Sequence, residues 1–198
     1  MADELFDQVK LYLPKYLTPS AVKQLFDELK LFPDNPKFYW HGTPPSELLQ
    51  GDGWKGFVAI DFRTLEKKTV SGVILSNSCD IDISNPRGRE MNVLFAPLIR
   101  LSSYERLLTD GGRTPEQIAD TLSSIRKQKV TYIFHLSNIP GVMDESIVLL
   151  DDIHAHPLAD FLSCERSRVF SLTQYAFYVF LLKLSIHFSR FQEGFART

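Results

Sequence analysis

Short apolar runs separated by turn-forming residues recur through the middle of the chain. Runs of this kind, bounded by Gly, Pro, Asn and Asp, are typical of buried strands joined by loops. Their spacing between the turn signals predicts a compact antiparallel barrel. We expect its strands within residues 54–60, 70–78, 91–98, 130–136 and 146–150.

Helical periodicity marks the N-terminal region. Two helices are expected within residues 1–31, separated by Pro14. The second opens with Thr18-Pro19-Ser20, an N-cap residue followed by proline at the first helical position, and continues with apolar residues at i, i+3, i+4 and i+7. Residues 32–52 are rich in Pro and Gly and predict an extended connector. We therefore predict a helical extension with its connector over residues 1–50, ahead of a barrel domain over residues 51–198.

Two further helices are expected inside the barrel domain. Thr114-Pro115-Glu116-Gln117 is a capping-box pattern, in which the Thr hydroxyl accepts the Gln117 amide and the Gln side chain returns to the Thr amide. It begins an apolar-periodic segment that predicts a helical insertion near residues 114–128. Residues 172–191 predict a long apolar C-terminal helix that packs on more than one side. The expected fold class is mainly β with added helices, an α+β architecture.

The composition is typical of a globular protein that has no strong overall charge. Hydrophobic residues make up 44% of the 198 residues and charged residues 23%, and 22 Lys and Arg stand against 24 Asp and Glu, a net charge of −2. That balance gives no general attraction to nucleic acid or to an anionic membrane, although it leaves a local basic patch open. The N-terminus lacks the features of a signal peptide, and the longest apolar run, Tyr175 to Leu182, is shorter than the ~20 residues that span a bilayer. We predict a cytoplasmic protein that does not associate with a membrane.

The polar segment Ser76-Asn77-Ser78-Cys79-Asp80, at the end of the second predicted strand, is the candidate functional site. Small polar residues and a thiol at a strand end are unusual for packing alone. A reactive thiolate needs a nearby cation or helix N-terminus, and a buried or half-buried thiol is the commoner case. Cys164 lies far away in sequence, so we expect two reduced thiols. The candidate binding residues are Ser76, Ser78, Cys79, Asp80, Asp82, Arg87 and Arg100.

Acidic residues and histidines raise the question of a metal site. On a strand, the carboxylates of Asp80 and Asp82 would share one face, where they could bind a hard cation such as Mg²⁺. The alternative is a solvated loop in which Asp80 accepts backbone amides. His154 and His156 follow two aspartates, but a polar turn before the next helix is the favoured interpretation. The sequence shows no dense ligand cluster, and we predict neither a metal nor a cofactor.

The order of several short motifs resembles the MazF/PemK toxin family. The pieces are a Gly-Asp-Gly-Trp turn at residues 51–54, a strand ending VILSNS, a strand reading VLFAPL and a later DESIVLLDDI segment. They span roughly residues 50–190, interrupted by an insertion around residues 102–129. The resemblance implies a small SH3-like barrel that is usually dimeric and that, in many members, cleaves single-stranded RNA. The segment from Ser76 to Asp80 also looks like the S-x-S-C-D motif of uncharacterised bacterial and phage relatives of that fold.

Two positions depart from the family members that cleave RNA. Those members carry Arg-Pro where this chain has Ser71-Gly72, and Thr where it has Ile99. RNA cleavage without a metal needs a group that activates the 2′-hydroxyl and a donor that stabilises the charged phosphorane. We therefore expect a protein that is inactive, or nearly so, as a toxin-type RNase.

Two classes of function follow from these features. The one we favour is a cleavage-deficient MazF/PemK-like binding module that acts through a protein or nucleic-acid partner in a toxin–antitoxin or phage-defence setting. The alternative is an enzyme, a divergent endoribonuclease or nuclease that uses Asp80, Asp82 and nearby basic residues. The apolar C-terminal helix and the dimeric family both predict a homodimer. The near-neutral charge favours a protein partner over RNA or DNA.

Overall fold

The chain divides into two compact units, with the division between Pro36 and Lys37. The computed structural model describes residues 18–43, 46–61, 63–85 and 88–189. The division falls earlier than the predicted boundary at residue 50. It does so because Tyr39 forms a β-bridge with Leu172, and the neighbouring Trp40 N–H donates to the Ser171 carbonyl, within the second unit.

The first unit contains the described helix α1 (Pro19–Leu29). Pro19 occupies the first helical position, where its missing N–H is not needed, as the sequence predicts. Beyond the helix, the side-chain amide of Asn35 donates to the carbonyl of Glu28 at 3.3 Å. The same carbonyl also accepts the Leu31 N–H at 3.1 Å, so two donors satisfy it at the C-terminal end of the helix. The helix predicted before Pro14 lies outside the described residues.

The second unit has seven strands and four helices within the described residues. The strands are β1 (Gly53–Ile60), β2 (Lys67–Ile74), β3 (Asn92–Arg100), β4 (Ile133–Leu136), β5 (Ser146–Leu149), β6 (His154–Pro157) and β7 (Ser167–Phe170). The helices are α2 (Leu101–Asp110), α3 (Pro115–Arg126), α4 (Leu158–Ser163) and α5 (Gln174–Ser189). The predicted α+β class, mainly β with added helices, is confirmed.

The strands pair antiparallel throughout, in the order β4-β5-β3-β2-β1-β7, and β6 pairs with β3. Strand β3 joins the two parts of the sheet. Its earlier residues pair with β2 and β6, and Leu98, Ile99 and Arg100 pair with β5. Within the described residues this path ends at β4 and β7 and does not close. The closed barrel is therefore not observed, and the SH3-like fold stays a prediction.

A β-bulge in β1 allows a close approach to the segment before β7. The register of β1 against β2 shifts between Lys55 and Phe57, which leaves Gly56 as the extra residue. Gly56 has a φ of +104°, and a Cβ there would lie 2.7 Å from the carbonyl oxygen of Glu165. Glycine is required at residue 56 because any side chain would collide with the Glu165 carbonyl and because other residues are strained at this positive φ. The bulge thus brings β1 against Glu165 and Arg166.

Three stacked aromatic rings form the centre of the main core. Phe57 lies between Phe95 and Phe161, with ring centroids 4.1 and 4.2 Å away and interplanar angles of 11° and 4°. All three side chains are fully buried. Each buried side chain of this size contributes about 1.5–3 kcal/mol. The stack therefore fixes β1, β3 and α4 against one another.

The helical insertion has a core of its own. Helices α2 and α3 pack on β4 and β5 through a buried cluster of Leu101, Ile118, Leu122, Ile125, Ile133 and Ile147. The predicted capping box is confirmed at the start of α3. The Thr114 hydroxyl accepts the Gln117 N–H at 3.3 Å, and the Gln117 side chain accepts the Thr114 N–H at 3.1 Å. Helix α2 was not predicted from the sequence.

One side chain covers the outer edge of β4. The Gln128 amide donates to the carbonyl of His135 at 2.8 Å and accepts the His135 N–H at 3.1 Å. The other edge of β4 pairs with β5. The buried Lys183 of α5 fixes the turn that carries Gln128, because its ammonium donates to the carbonyls of Gln128, at 2.9 Å, and Val130.

Helix α5 confirms the predicted C-terminal helix. Its first half is buried in the second unit through Tyr175, Ala176, Val179 and Phe180. Further along, Leu182, Ile186 and Phe188 remain 58%, 41% and 63% exposed. Considering only the residues that the structure describes, no helix combines the length and the apolar character needed to cross a membrane.

Two expectations about local structure are wrong. Strand β2 ends at Ile74, so Ser76–Asp80 follow the strand, and Ser78–Asp80 form a 3₁₀ turn. Asp80 and Asp82 therefore do not share a strand face. His154 and His156 lie in strand β6 and not in a polar turn.

Candidate binding groove

A surface groove of about 560 Å³ lies beside the turn that follows β2. Three segments line it: residues 46–49 ahead of β1, residues 78–84 with Asp80 excepted, and a third that comprises Leu162 near the end of α4 and Arg166 in the connection to β7. The apolar lining comes from Leu48, Leu49, Ile81, Ile83 and Leu162, and the polar lining includes Ser78, Cys79, Asp82 and Arg166. The predicted motif thus supplies one wall of a concave and mainly apolar site.

Two serines of the motif hold this wall in place. The buried Ser76 hydroxyl accepts the N–H of Leu94 at 2.8 Å, which ties the end of β2 to β3. The Ser78 hydroxyl accepts the N–H of Gln50 at 2.9 Å, and the Gln50 side chain donates to the Leu75 carbonyl at 2.7 Å. Both hydroxyls therefore serve the local fold, since each satisfies a backbone donor.

Cys79 reaches the groove from the start of the 3₁₀ turn. The Asn77 side chain accepts the Cys79 N–H at 2.9 Å and so caps the turn. The Cys79 residue is exposed. Among the described residues that line the groove there is no histidine, and His135 and His154 instead bond to carboxylates at 2.8 and 3.1 Å. Among the described residues that line the groove, Cys79 therefore has no imidazole beside it to act as a base.

The two aspartates of the motif are separated by the turn. Asp80 is exposed, lies outside the groove lining and donates its backbone N–H to the Asn77 carbonyl. Asp82 lines the groove and accepts the Ser84 N–H at 2.8 Å, and this bond lowers the pKa of the Asp82 carboxyl. No group of three or more His, Cys, Asp or Glu in the described part of the chain is arranged to hold a metal ion.

Arg166 is the cation of the groove, and the sequence did not single it out. Its guanidinium donates to the Leu162 carbonyl near the end of α4 and lies 5.9 Å from the centroid of the Phe161 ring. Its Nε is buried without a hydrogen-bond partner among the described residues. Arg166 stands more than eighty residues after the motif, and the pairing of β1 with both β2 and β7 brings the two segments to the same part of the sheet.

The structure does not bring Arg100 to the groove. Antiparallel pairing sets Ile74 opposite Phe95, so Arg100 extends along β3 away from the turn that follows β2. At about 3.3 Å per residue, that separation along the strand is roughly 17 Å. The Arg100 guanidinium lies 4.0 Å from the carboxylate of Asp144 instead. Arg87 lies outside the described residues.

A buried ion pair supports the opposite wall. The Arg168 guanidinium lies 3.1 Å from the Asp52 carboxylate, donates to the Glu47 carbonyl at 2.6 Å and covers the Trp54 ring at 4.6 Å. The Ser171 hydroxyl also donates to Asp52, at 3.0 Å. Burial raises the pKa of Asp52 to about 6, against the opposing effects of Arg168 and Ser171. The Arg168 guanidinium, held by Asp52, thus ties Glu47 to β7 through one hydrogen bond.

No protein-family model matches this sequence, and no curated protein matches it. The resemblance to MazF/PemK proteins therefore rests on the short motifs, and their two altered positions have structural roles of their own. Ser71 is half-buried and pairs with Lys55, and Ile99 packs against the core of the helical insertion.

Proposed function

We propose that this protein is a cleavage-deficient MazF/PemK-like binding module that recognises a protein partner through the groove. The observation that carries this proposal is the combination of mainly apolar walls with polar groups that already serve the fold. Apolar concave surfaces supply binding energy by releasing water, and a few polar groups then select the ligand.

The disposition of the polar groups favours binding over catalysis. Ser78 and Asp82 accept backbone N–H groups, and Cys79 has no histidine beside it in the groove. Cleavage of RNA requires a base close to the attacking hydroxyl and donors placed for the developing charge. Asp80 and Asp82, which the nuclease alternative needs together, do not both line the groove.

The proposal also covers the biological system, the class of partner and the oligomeric state. Ser71 and Ile99 stand where the cleaving MazF/PemK members carry Arg and Thr, which supports a loss of cleavage. A toxin–antitoxin or phage-defence setting is what the resemblance to that family implies. A protein partner suits the net charge of −2 better than a nucleic acid does. The module acts in the cytoplasm as a homodimer under this proposal.

A peptide library displayed on phage and selected on the immobilised protein tests the proposal. Selected peptides are then synthesised and titrated against the wild type, Ile83→Asp in the groove and Leu107→Asp on α2. Ile83 is 69% exposed and Leu107 63%, so the two variants place the same charge on equally exposed apolar positions.

We expect Ile83→Asp to weaken binding at least about tenfold, because a desolvated charge in an apolar contact is costly, and Leu107→Asp to bind like the wild type. Failure to select any peptide, or equal affinity for the two variants, would contradict the proposal.

A further inference from the structure

His156 is a buried titratable residue that the proposed binding groove does not use. It is only 8% exposed and does not line the groove. The centroid of its imidazole lies 5.8 Å from that of the Phe161 ring on α4 and 6.4 Å from that of the Phe57 ring on β1. Its backbone pairs with Val93 on β3. The imidazole therefore lies where α4 contacts the sheet.

This position suits a neutral imidazole and opposes a charged one. The Nδ1 atom of His156 is buried and has no hydrogen-bond partner among the described residues. Both ring nitrogens of an imidazolium carry a proton, so the charged form would place an unpaired N–H donor at Nδ1. Leaving a buried donor unpaired costs free energy, and more so when the donor is charged. Burial accordingly lowers the pKa of His156, although the Asp160 carboxylate raises it.

The charged groups around His156 offset this cost only weakly. The elements that pack most closely against β6 each have one charged residue: Asp160 on α4, Lys55 on β1 and Arg100 on β3. All three are exposed, so solvent and salt weaken their effect on the buried ring. On β6 itself, the His154 imidazole bonds to the Asp152 carboxylate at 3.1 Å. The Arg166 guanidinium, 5.9 Å from the centroid of the Phe161 ring, adds a repulsive charge.

We propose that His156 makes the contact between α4 and the sheet sensitive to mild acid, so that protonation of its imidazole releases α4. Phe161 holds this helix in the central ring stack, and a charge beside that ring opposes the burial of both. Leu162, the next residue, lines the groove, so release of α4 removes part of one wall. Release is independent of what the groove binds, because it depends only on how α4 is held.

The direction of the effect depends on which state binds the proton. With α4 in place the buried imidazole stays neutral, whereas a solvated imidazole takes up a proton with an ordinary pKa of about 6.5. The contact is therefore fully stable above about pH 6.5, and each pH unit below that favours release by up to about tenfold. Asp52, whose pKa is raised by burial, changes the stability of the fold in the opposite direction. A variant that lacks only the His156 imidazole separates the two effects.

Hydrogen exchange followed by NMR tests the proposal at single amides. The Leu158 N–H donates to the Met91 carbonyl at 2.8 Å and so reports on the contact between α4 and β3. The Ile118 N–H, bonded to the Thr114 carbonyl at 3.0 Å, reports on the separate core of the helical insertion. Protection factors, corrected for the intrinsic pH dependence of exchange, are compared at about pH 7.5 and about pH 5.5, on either side of the ordinary histidine pKa.

The proteins compared are the wild type, His156→Phe and the matched control His154→Phe. Phenylalanine suits the aromatic surroundings of residue 156 and carries no charge. His154 lies two residues earlier on the same strand and stacks on Phe95, so its replacement removes a neighbouring imidazole from the same face.

We expect the protection of Leu158 in the wild type to fall severalfold, by up to about tenfold, between the two pH values, while that of Ile118 is unchanged. His156→Phe should lose this response and His154→Phe should keep it. If His156→Phe does not fold, the NMR titration of the wild-type imidazole decides. A His156 that takes up its proton at or above the ordinary pKa would overturn the proposal.

Two other results would also overturn it. The first is a Leu158 protection that is independent of pH in the wild type or keeps its pH response in His156→Phe. The second is an equal loss of protection at Leu158 and Ile118, which would mean that acid unfolds the whole unit and does not release α4 alone. None of these results affects the binding function of the groove, which the peptide titrations at neutral pH test separately.

Discussion

Ser76 and Asp80 lie in the same polar segment, yet the fold uses them differently. Ser76 is buried and satisfies the Leu94 N–H at 2.8 Å, whereas Asp80 is exposed. We expect Ser76→Ala to lower the free energy of unfolding by about 0.5–1.5 kcal/mol, because it removes the acceptor of the Leu94 N–H. Asp80→Ala should change it by less than about 0.5 kcal/mol. Urea denaturation of both variants measures the difference, and equal losses would show that Ser76 has no special structural role.

Asp52 makes stability depend on pH in an unusual direction. Burial raises its pKa from 3.8 to about 6, so the folded state holds the proton more tightly than the unfolded chain does. The contribution of Asp52 to the free energy of unfolding is therefore complete below about pH 4, and it is lost as the pH rises through about 6. A shift of this size corresponds to about 3 kcal/mol.

The contribution of Asp52 is isolated by comparing the wild type with Asp52→Asn. Histidines such as His135 also affect the pH dependence of the unfolding free energy. Burial lowers the pKa of His135, so its contribution changes with pH in the opposite direction. Because this contribution is the same in both proteins, it cancels in their difference. We expect the unfolding free energy of the wild type, relative to Asp52→Asn, to fall between pH 4 and pH 7. A difference that stays constant over this range would mean that Arg168 holds Asp52 ionised throughout.

At the scale of elements, the sequence predicted the strands and helices that have an apolar run or a capping motif within their own residues. Strands β1, β3 and β5 have apolar runs between turn residues, and α3 has a complete capping box. Strand β6 reads His-Ala-His-Pro and β7 reads Ser-Arg-Val-Phe, so neither has an apolar run, and pairing with β3 and β1 makes them strands. Helix α2 begins directly after β3 without a side-chain cap, which left no start signal to find.

The sequence predicted only those residues of the candidate site that lie within one short segment of the chain. Ser78 and Cys79 stand in the groove because the motif that contains them forms one of its walls. Arg166 and Leu162 come from a distant segment, and no periodicity relates them to the motif. Arg100 was a candidate because it follows the next predicted strand, and antiparallel pairing sends the end of β3 away from the motif.

Helix α5 predicts the oligomeric state. Leu182 and Ile186 lie one helical turn apart, and both are substantially exposed. Exposed apolar surfaces of this kind usually mark interfaces. We expect light scattering to show a species of twice 22.7 kDa at micromolar concentration. The double substitution Leu182→Glu with Ile186→Glu should yield the monomer, and Leu107→Glu on α2 should not. A wild-type protein of monomer mass would rule out this interface.

For the whole molecule, the absence of Arg and Thr at residues 71 and 99 predicts very weak RNase activity. Each missing catalytic group typically contributes about 10²-fold or more to the rate. The measurement is cleavage of a fluorescent single-stranded RNA by the purified protein in the presence of a chelator. The variant with Ser71→Arg and Ile99→Thr, which introduces the residues that cleaving MazF/PemK proteins carry, serves as a comparison. Robust cleavage by the unmodified protein would contradict the binding-module proposal.

Gln128, on the outer edge of β4, affects whether copies of this protein can associate through that strand. An open strand edge is a template on which further chains can polymerise. Gln128 fills the hydrogen-bonding positions of His135 from within the same molecule and does so from a turn with a φ of +56°. An incoming strand would have to displace that amide before it could pair with His135. Gln128 therefore hinders fibre-like growth at this position of the sheet edge.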